Sequence, residues 1–248
     1  MTTTAGKPVL EGVAINKSYT GKGRRMQALS SVDFRLEKGE ILGIVGESGS
    51  GKSTLLRVIS GIEKPDSGRL YHDGAEYTGA SCAQTGRFMQ MVFQDAARSF
   101  DPRMPMRRSL SETGARREQE ILAMIEKVGL QPELLARRPG RLSGGQCQRM
   151  SIARALLARV KILLCDEITS ALDVTIQAQV VGLLKELRET EELSMIFVSH
   201  DLALVSSLCD RIMVIRQGVC VEEGTAAQVI GAPRHSYTKE LLASVMET

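Results

Sequence analysis

The sequence ILGIVGESGSGKSTLLRVI occupies residues 41–59 and combines three patterns in a fixed order. A continuous apolar run comes first, as in a strand that is buried on both faces of a sheet. A glycine-rich turn follows, and Leu55, Leu56, Ile59 and Ile62 then recur at helical spacing. The order predicts a strand, a loop and a helix, which together begin an α/β unit built on a parallel sheet.

The loop in this stretch matches G-x-x-x-x-G-K-[ST], the pattern of a phosphate-binding P-loop. Its glycines allow backbone N–H groups to turn toward phosphate oxygens, and the positive end of the following helix adds to the attraction. We expect Lys52 to reach the β- and γ-phosphates of ATP and the Ser53 hydroxyl to bind Mg²⁺. An ordinary glycine-rich turn is the alternative interpretation. The candidate ATP-binding residues here are Gly46, Ser48, Gly49, Ser50, Gly51, Lys52, Ser53 and Thr54.

Composition favours a folded globular protein without a membrane span. The chain has 248 residues, of which 43% are hydrophobic and 25% charged, and no apolar run approaches the roughly 18 residues of a membrane helix. The N-terminal MTTTAGKPVL lacks the charged and then apolar segments of a secretory signal, so we expect a cytosolic chain. The five cysteines are never spaced as C-x-x-C, which predicts reduced thiols rather than disulfides or a zinc site.

Charge is mild overall but unevenly distributed. A net charge of +3, with 4% aromatic residues and no Trp, gives no reason to expect nucleic acid as a partner. Between Arg98 and Arg141, however, nine Arg and one Lys stand against six acidic residues. This surplus is interpreted either as a solvated helical face or as a basic contact surface for another protein or for lipid headgroups.

Two further patterns surround the P-loop stretch. The first forty residues alternate apolar and polar side chains at period two, which predicts a half-exposed antiparallel sheet. Residues 95–141 are Arg-rich, polar and interrupted by prolines, and they predict an inserted helical lobe. The apolar face of that lobe is expected to consist of Ile121, Leu122, Ile125 and Val128.

The second half of the chain alternates strands with helices. KILLCDE and SMIFVSHD are predicted buried strands with an amphipathic helix over 175–189 between them. RIMVIRQGVCVEEG predicts a hairpin with a Gln-Gly turn, and a helix is expected over 235–246. We therefore predict an α/β fold in one domain, 1–248: a P-loop NTPase core with a parallel sheet (1–94 and 142–248), an N-terminal antiparallel β subdomain, and an inserted α-helical subdomain (95–141).

Two of the predicted strands end in polar residues. Uncompensated charges are costly at the end of a buried strand, so Asp166 and Glu167 suggest a cation nearby. We expect Asp166 to hold Mg²⁺, directly or through water, and Glu167 to polarise the attacking water as general base. His200 follows the other strand, at the edge where parallel α/β sheets bind ligands. A structural role is the alternative for this histidine.

A second glycine-containing motif, LSGGQCQR, occupies residues 142–149 and precedes a helix predicted over 150–157. A Ser hydroxyl and Gly amides at a helix start form another place where phosphate can bind. A generic P-loop fold does not require this motif. The P-loop, LSGGQ, ILLCDE, SALD and a histidine after a strand, in this order, resemble the ATP-binding subunits of ABC transporters.

The resemblance implies an ATP site that two subunits share. In that family two subunits face each other head to tail, and each ATP lies between the P-loop of one and the LSGGQ of the other. Ser143 and Gly145 would contact the γ-phosphate held by the partner, and residues 170–173 would communicate across the interface. The resemblance also implies that Gln94 contacts Mg²⁺ or the attacking water and that Tyr19 stacks on adenine. Gly144, Gln146 and Asp173 complete the implied ATP-binding set.

Two stretches narrow the resemblance to ATPases of dipeptide, oligopeptide and nickel importers. FQDAARSFDPR resembles FQDP..SLNPR, and APRHSYTKELL resembles P.HPYT..L. The implied protein energises an importer for peptides or nickel and other metal complexes, from the cytoplasmic face of the membrane, to which it is bound peripherally. Its implied partners are a second ABC ATPase subunit, identical or related, two transmembrane permease subunits and an extracytoplasmic solute-binding protein.

The sequence departs from this family pattern at three places. Ile168 and Ala96 stand where the family usually has Pro, and residues 104–120 are shorter than usual. Because Lys52, Glu167 and His200 are all present, we expect a site that hydrolyses ATP. The shortened segment bears on how the helical lobe docks on its membrane partner, and the ATP site is less affected. The alternative function is a soluble ABC-type ATPase subunit of a multienzyme complex such as carbon–phosphorus lyase.

Overall fold

Two β-sheets form the framework of the protein. The computed structural model describes residues 7–21, 24–77, 82–114, 117–170 and 172–246. The described strands are β1 (Leu10–Gly21), β2 (Arg24–Leu36), β3 (Ile41–Val45), β4 (Ser67–His72), β5 (Ala75–Tyr77), β6 (Met89–Val92), β7 (Ile162–Asp166), β8 (Ser194–Val198), β9 (Arg211–Arg216) and β10 (Val219–Thr225).

The smaller sheet has the strand order β2-β1-β4-β5 and is antiparallel throughout. Its first two strands confirm the antiparallel sheet predicted for the first forty residues. The other two strands, β4 and β5, were not predicted, because apolar and polar residues alternate little between residues 67 and 77. Only Leu70 and Tyr77 of this segment are buried in the structure. The smaller sheet therefore draws on residues both before and after the P-loop stretch.

The larger sheet has the strand order β10-β9-β3-β8-β7-β6. Strands β9, β3, β8, β7 and β6 are parallel, and every residue of β3, β7 and β8 is buried, as the continuous apolar runs predicted. Strand β10 is antiparallel to β9. Gln217 and Gly218 between them both have positive φ, 49° and 79°, which is the backbone of the tight hairpin turn predicted there.

Nine α-helices occur in the described residues. They are α1 (Lys52–Ile59), α2 (Cys82–Thr85), α3 (Met106–Ser111), α4 (Glu118–Lys127), α5 (Gly144–Leu157), α6 (Val174–Glu191), α7 (Leu202–Leu208), α8 (Ala226–Gly231) and α9 (Ser236–Met246). The sequence predicted α1, α4, α5, α6 and α9 at least in part, while α2, α3, α7 and α8 have only four, six, seven and six residues. No helix in the described ranges is long and apolar enough to cross a membrane.

Helix α1 is shorter than its apolar spacing suggested. It ends at Ile59, and Gly61 then adopts a positive φ of 78° that turns the chain away from the helix axis. Ile62 lies beyond the end of the helix and is 46% exposed, so its prediction as a helical residue was wrong. Leu55 and Leu56 are fully buried as predicted.

The predicted helical lobe contains α3, α4 and three short 3₁₀ turns among the described residues. Ile121, Ile125 and Val128 are buried, and they belong to the same apolar cluster as helix α5 and one face of the large sheet. Arg154 of α5 also reaches the segment before α3, where its guanidinium donates to the Ser99 carbonyl oxygen at 2.7 Å. The lobe is thus packed against the helix that follows LSGGQ. The boundaries at residues 95 and 141 remain a prediction.

The five cysteines are free thiols with different accessibility. Cys82 is exposed, whereas burial raises the pKa of Cys165 and of Cys209 far above the ordinary value and that of Cys220 to about 11. Because the thiolate is the reactive form, iodoacetamide at pH 8 should alkylate Cys82 first and the buried thiols about a hundredfold more slowly. Peptide mass spectrometry after timed quenching measures this order. Rapid native labelling of Cys165 would contradict it, and Cys82→Ser should remove the fast phase.

Candidate functional site

The glycine-rich loop between β3 and α1 has a backbone that only glycine tolerates. Gly46 and Gly51 have φ values of 151° and 113°. A Cβ at Gly46 would lie 2.1 Å from the Ile215 carbonyl oxygen, and one at Gly51 would lie 2.5 Å from that of Ala28. Both glycines are therefore required for the close approach of the loop to neighbouring strands.

Lys52 begins helix α1 and points back into the loop. It is 4% exposed, and its Nζ donates to the carbonyl oxygens of Gly46 at 2.8 Å and Glu47 at 2.9 Å. Burial lowers the pKa of Lys52, and the nearby carboxylates of Glu167 and Asp166 act in the opposite direction. The ammonium is thus held by the loop backbone at the place where the sequence predicted phosphate.

Ser53 and Asp166 are hydrogen-bonded to each other beside Lys52. Ser53 Oγ donates to Asp166 Oδ1 at 2.9 Å, which joins the start of α1 to the end of β7. Burial raises the pKa of Asp166, and the Ser53 hydrogen bond only partly offsets this. A hydroxyl and a carboxylate are hard oxygen ligands of the kind that Mg²⁺ prefers. The two residues therefore fit the magnesium ion that the sequence predicted.

Glu167 follows β7 in a left-handed backbone conformation, with φ 48°. Its N–H donates to the Val198 carbonyl oxygen at 3.0 Å, which fixes this turn to the end of β8. Its carboxylate lies 3.9 Å from Lys52 Nζ and 3.7 Å from His200 Nδ1. Left-handed conformations of residues other than glycine are costly and cluster at functional sites. The structure thus places Glu167 between the two other residues predicted for hydrolysis.

A cleft of about 310 Å³ lies above these groups. Three of its residues, Met26, Gln27 and Ala28, were not predicted, because the period-two pattern of β2 marks them only as strand residues. Met26 is 63% exposed. Its exposure at the cleft depends on where β2 lies in the fold, which the sequence pattern does not indicate. The cleft is lined by Tyr19, Met26, Gln27, Ala28, Ser48, Gly49, Gly51, Lys52, Ser53, Thr54, Gln94 and Glu167.

Tyr19 and Gln94 both line the cleft. The Tyr19 hydroxyl donates to the Glu63 carboxylate, and burial together with this hydrogen bond raises the pKa of Tyr19. Gln94 Nε2 donates to Ser170 Oγ at 2.9 Å, and Ser170 Oγ donates to the Glu167 carbonyl oxygen at 2.9 Å. Gln94 is therefore linked to the backbone of Glu167 through one side chain, a link that the sequence did not suggest.

The LSGGQ motif forms the first turn of helix α5. The helix begins at Gly144, so the expected start at residue 150 was wrong. The reason is a capping box, in which the Ser143 hydroxyl accepts from the Gln146 N–H at 3.3 Å and Gln146 Oε1 accepts from the Ser143 N–H at 3.0 Å. A Cβ at Gly145 would lie 2.6 Å from Ile176 Cγ2, so this glycine permits the close packing of α5 on α6.

Several predicted site residues are outside the cleft of this chain. Asp173 caps helix α6, where its Oδ1 accepts from the Ile176 N–H at 2.9 Å, and Ala171 falls outside the described residues. Ile168 and Ala96, two of the departures noted in the sequence, line a neighbouring cavity of about 360 Å³ that shares Gln94 with the cleft. Asp166 and His200 do not line the main cleft themselves but contact its lining residues Ser53 and Glu167. The other predicted residues absent from the lining are Gly46, Ser50, Ser143, Gly144, Gly145, Gln146 and Asp173.

Together, the glycine loop, the buried lysine and the carboxylates at the strand ends define a P-loop nucleotide-binding site. The sequence profile of the family described as ABC transporter matches residues 29–170. The chain therefore belongs to the ABC transporter family, and the resemblance found in the sequence is confirmed. It is an ATP-binding cassette ATPase with the predicted α/β fold.

Two curated relatives and two solved structures illustrate this membership. The oligopeptide transport ATP-binding protein OppF of Haemophilus influenzae is 42% identical in an alignment 239 residues long that covers 92% of this chain and 72% of that protein. The dipeptide transport ATP-binding protein DppF of Escherichia coli is 38% identical in an alignment 258 residues long, gaps included, that covers 97% of this chain and 77% of that protein.

The solved structures support the fold assignment. A dimeric ATP-binding cassette in a post-hydrolysis state, bound to ADP and Pi, aligns with a TM-score of 0.79 and 26% identity over 88% of this chain and 98% of that one. The protein cbiO1 of Clostridium perfringens, part of the ABC transporter complex cbiONQ, aligns with a TM-score of 0.80 and 25% identity over 97% of this chain and 95% of that one.

Proposed function

We propose that this chain is the ATP-hydrolysing subunit of a peptide importer. The observation that carries the proposal is the meeting of Lys52, Asp166 and Glu167 at one cleft of an ABC cassette. Relatives between 38% and 44% identical are named oligopeptide or dipeptide transport ATP-binding proteins, which favours peptides as the solute. A nickel or other metal-complex importer remains the second possibility on the two sequence stretches, and the multienzyme-complex alternative is not favoured.

The proposed chemistry assigns one task to each side chain. The loop amides and Lys52 bind the phosphates of ATP, and Ser53 and Asp166 hold Mg²⁺, with Gln94 as a further candidate ligand. A bound magnesium ion would neutralise charge on the β- and γ-phosphates. Glu167 accepts a proton from the attacking water as general base. His200 is 63% exposed at its side chain and lies 3.7 Å from the Glu167 carboxylate, and we assign it a contact with the γ-phosphate.

The arrangement of LSGGQ supports a shared site. Ser143 and Gln146 cap an exposed helix start that does not line the cleft of its own chain. At the start of α6, Asp173 and Val174 are also exposed, with Val174 80% accessible. We propose that this surface closes over the cleft of a second ABC ATPase, identical or related, and that ATP favours the closed pair because it contacts both chains. Tyr19 would lie against adenine in that arrangement.

The remaining partners follow from the proposed importer. Two transmembrane permease subunits would receive the helical lobe, whose arginines offer a basic contact surface, and an extracytoplasmic solute-binding protein would deliver the peptide. Arg103, Arg108 and Arg138 of the lobe are exposed. The chain would then be peripheral on the cytoplasmic face of the membrane.

The experiment measures ATP turnover in three samples. They are the purified chain alone, the chain mixed with a candidate partner ATPase, and this mixture bound to proteoliposomes that contain the permease pair. We expect turnover to depend on pairing and to rise at least several-fold when peptide-loaded binding protein is enclosed. The same vesicles with nickel-loaded binding protein test the second possibility. An ATP turnover rate that is the same with and without the permease pair and any loaded binding protein would contradict the importer function. It would favour the multienzyme-complex alternative instead.

A further inference from the structure

The side chain of Tyr237, in helix α9, lies against the phosphate-binding loop. It is 1% exposed and belongs to the apolar cluster that also covers one face of the large sheet. Its hydroxyl oxygen accepts a hydrogen bond from the Glu47 N–H, at an N···O distance of 2.9 Å and across 190 residues of sequence. The last described helix therefore supplies one polar group to a loop that lies near the start of the chain.

The donor of this hydrogen bond belongs to the peptide group that joins Gly46 to Glu47. The nitrogen of the group donates to Tyr237 Oη, and its carbonyl oxygen accepts from Lys52 Nζ at 2.8 Å. A peptide group is planar, so its C=O and N–H cannot rotate independently. The orientation that satisfies Tyr237 is therefore the one that presents the carbonyl to Lys52.

The surroundings leave this peptide little freedom. Gly46 is so close to strand β9 that a Cβ would lie 2.1 Å from the Ile215 carbonyl oxygen. A backbone N–H that loses its partner in such a place carries a desolvation cost, and the peptide can relieve that cost only by rotating or by admitting water. Either change would disturb the acceptor of Lys52.

Tyr237 is itself held from several directions. Glu222 of β10 accepts hydrogen bonds from the N–H groups of Arg234 and His235, at 2.8 Å and 3.0 Å, which fixes the chain just before α9. His235 Nδ1 accepts from the Tyr237 N–H at 3.1 Å. The Arg216 guanidinium carbon lies 4.7 Å from the centre of the Tyr237 ring. The hydroxyl is therefore presented to the loop by a fixed support.

We infer that Tyr237 is a positioning residue of the nucleotide site, which holds the Gly46–Glu47 peptide in the orientation that Lys52 requires. The inference rests on the proposed function, because it assumes that this loop binds the phosphates of ATP. Without the hydroxyl, a smaller fraction of molecules has the loop in its binding conformation, and the apparent nucleotide affinity falls in proportion.

The test uses Tyr237→Phe, which keeps the packed ring and removes only the acceptor. Calorimetric titration with ADP should show an affinity about tenfold weaker than that of the wild type. Hydrogen exchange of the Glu47 amide should become faster, because its hydrogen bond is lost. Thermal unfolding of the same samples shows how much of the effect is general destabilisation.

Tyr77→Phe is the matched control. Tyr77 is also buried, and its hydroxyl donates to the Ile59 carbonyl oxygen at 3.0 Å, at the end of α1 away from the loop. We expect a comparable loss of stability with unchanged ADP affinity. Equal ADP affinity in wild type and Tyr237→Phe, or an equal loss in both variants, would overturn the inference alone. A wild type that does not bind ADP would overturn the proposed function as well.

Discussion

Replacing Glu167 with Gln should lower ATP turnover by about a thousandfold and leave ATP binding intact. The substitution keeps the size and shape of the side chain but removes the group that accepts a proton from water. The backbone of Glu167 is held independently of its carboxylate, through its N–H to Val198 and its carbonyl oxygen to Ser170. We therefore expect an unchanged fold, an unchanged ATP affinity, and accumulation of a pair of chains closed on unhydrolysed ATP.

Single-turnover hydrolysis and size-exclusion chromatography with ATP measure these two effects separately. Glu191→Gln is the control, since Glu191 pairs with Lys127 at the far end of helix α6 and should not alter turnover. A Glu167→Gln variant that hydrolyses ATP at the wild-type rate would show that another group activates the water. Loss of binding together with turnover would instead indicate a structural role for this carboxylate.

The core of this site could be predicted because its signals are local. The strand, loop and helix at residues 41–59 follow from apolar runs and glycines that are adjacent in sequence. Asp166 and Glu167 could be placed near the P-loop because both groups follow strands of one parallel sheet, and parallel strands end at the same edge. The backbone requirement at Gly46 and Gly51 also agrees with the motif, since both glycines approach other backbone segments.

Other features depend on contacts that the sequence does not encode locally. The Tyr237 hydrogen bond spans 190 residues, and no periodicity could indicate it. Met26 could not be assigned to the cleft, because strand alternation does not say what lies above a strand. The early start of α5 is different: Ser143 and Gln146 have the spacing of a capping box, and this signal outweighs the poor helix propensity of two glycines.

Replacing Lys52 with Met should weaken ATP binding by about a hundredfold with little loss of stability. A buried ammonium that bonds a phosphate makes a charge-assisted contact worth several kcal/mol, so its loss is large for the ligand. The folded protein loses less, because burial already opposes the charge, as the lowered pKa of Lys52 shows. The Gly46 carbonyl oxygen is buried and loses its hydrogen bond, so the remaining cost in stability is about 1 to 2 kcal/mol.

A lysine that binds phosphate and a lysine that only stabilises the fold differ in what their loss changes. Loss of the first mainly weakens ATP affinity, and loss of the second mainly lowers the free energy of unfolding. Lys161→Met is the matched control, since Lys161 Nζ also donates to a backbone carbonyl oxygen, that of Glu191 at 2.7 Å, but on the exposed surface. Calorimetric titration with ATP and denaturant unfolding should show a change in affinity only for Lys52→Met, with both free energies of unfolding within about 2 kcal/mol of wild type. If Lys52→Met instead unfolds easily and binds ATP normally once folded, the ammonium stabilises the loop and the phosphates are bound by backbone amides alone.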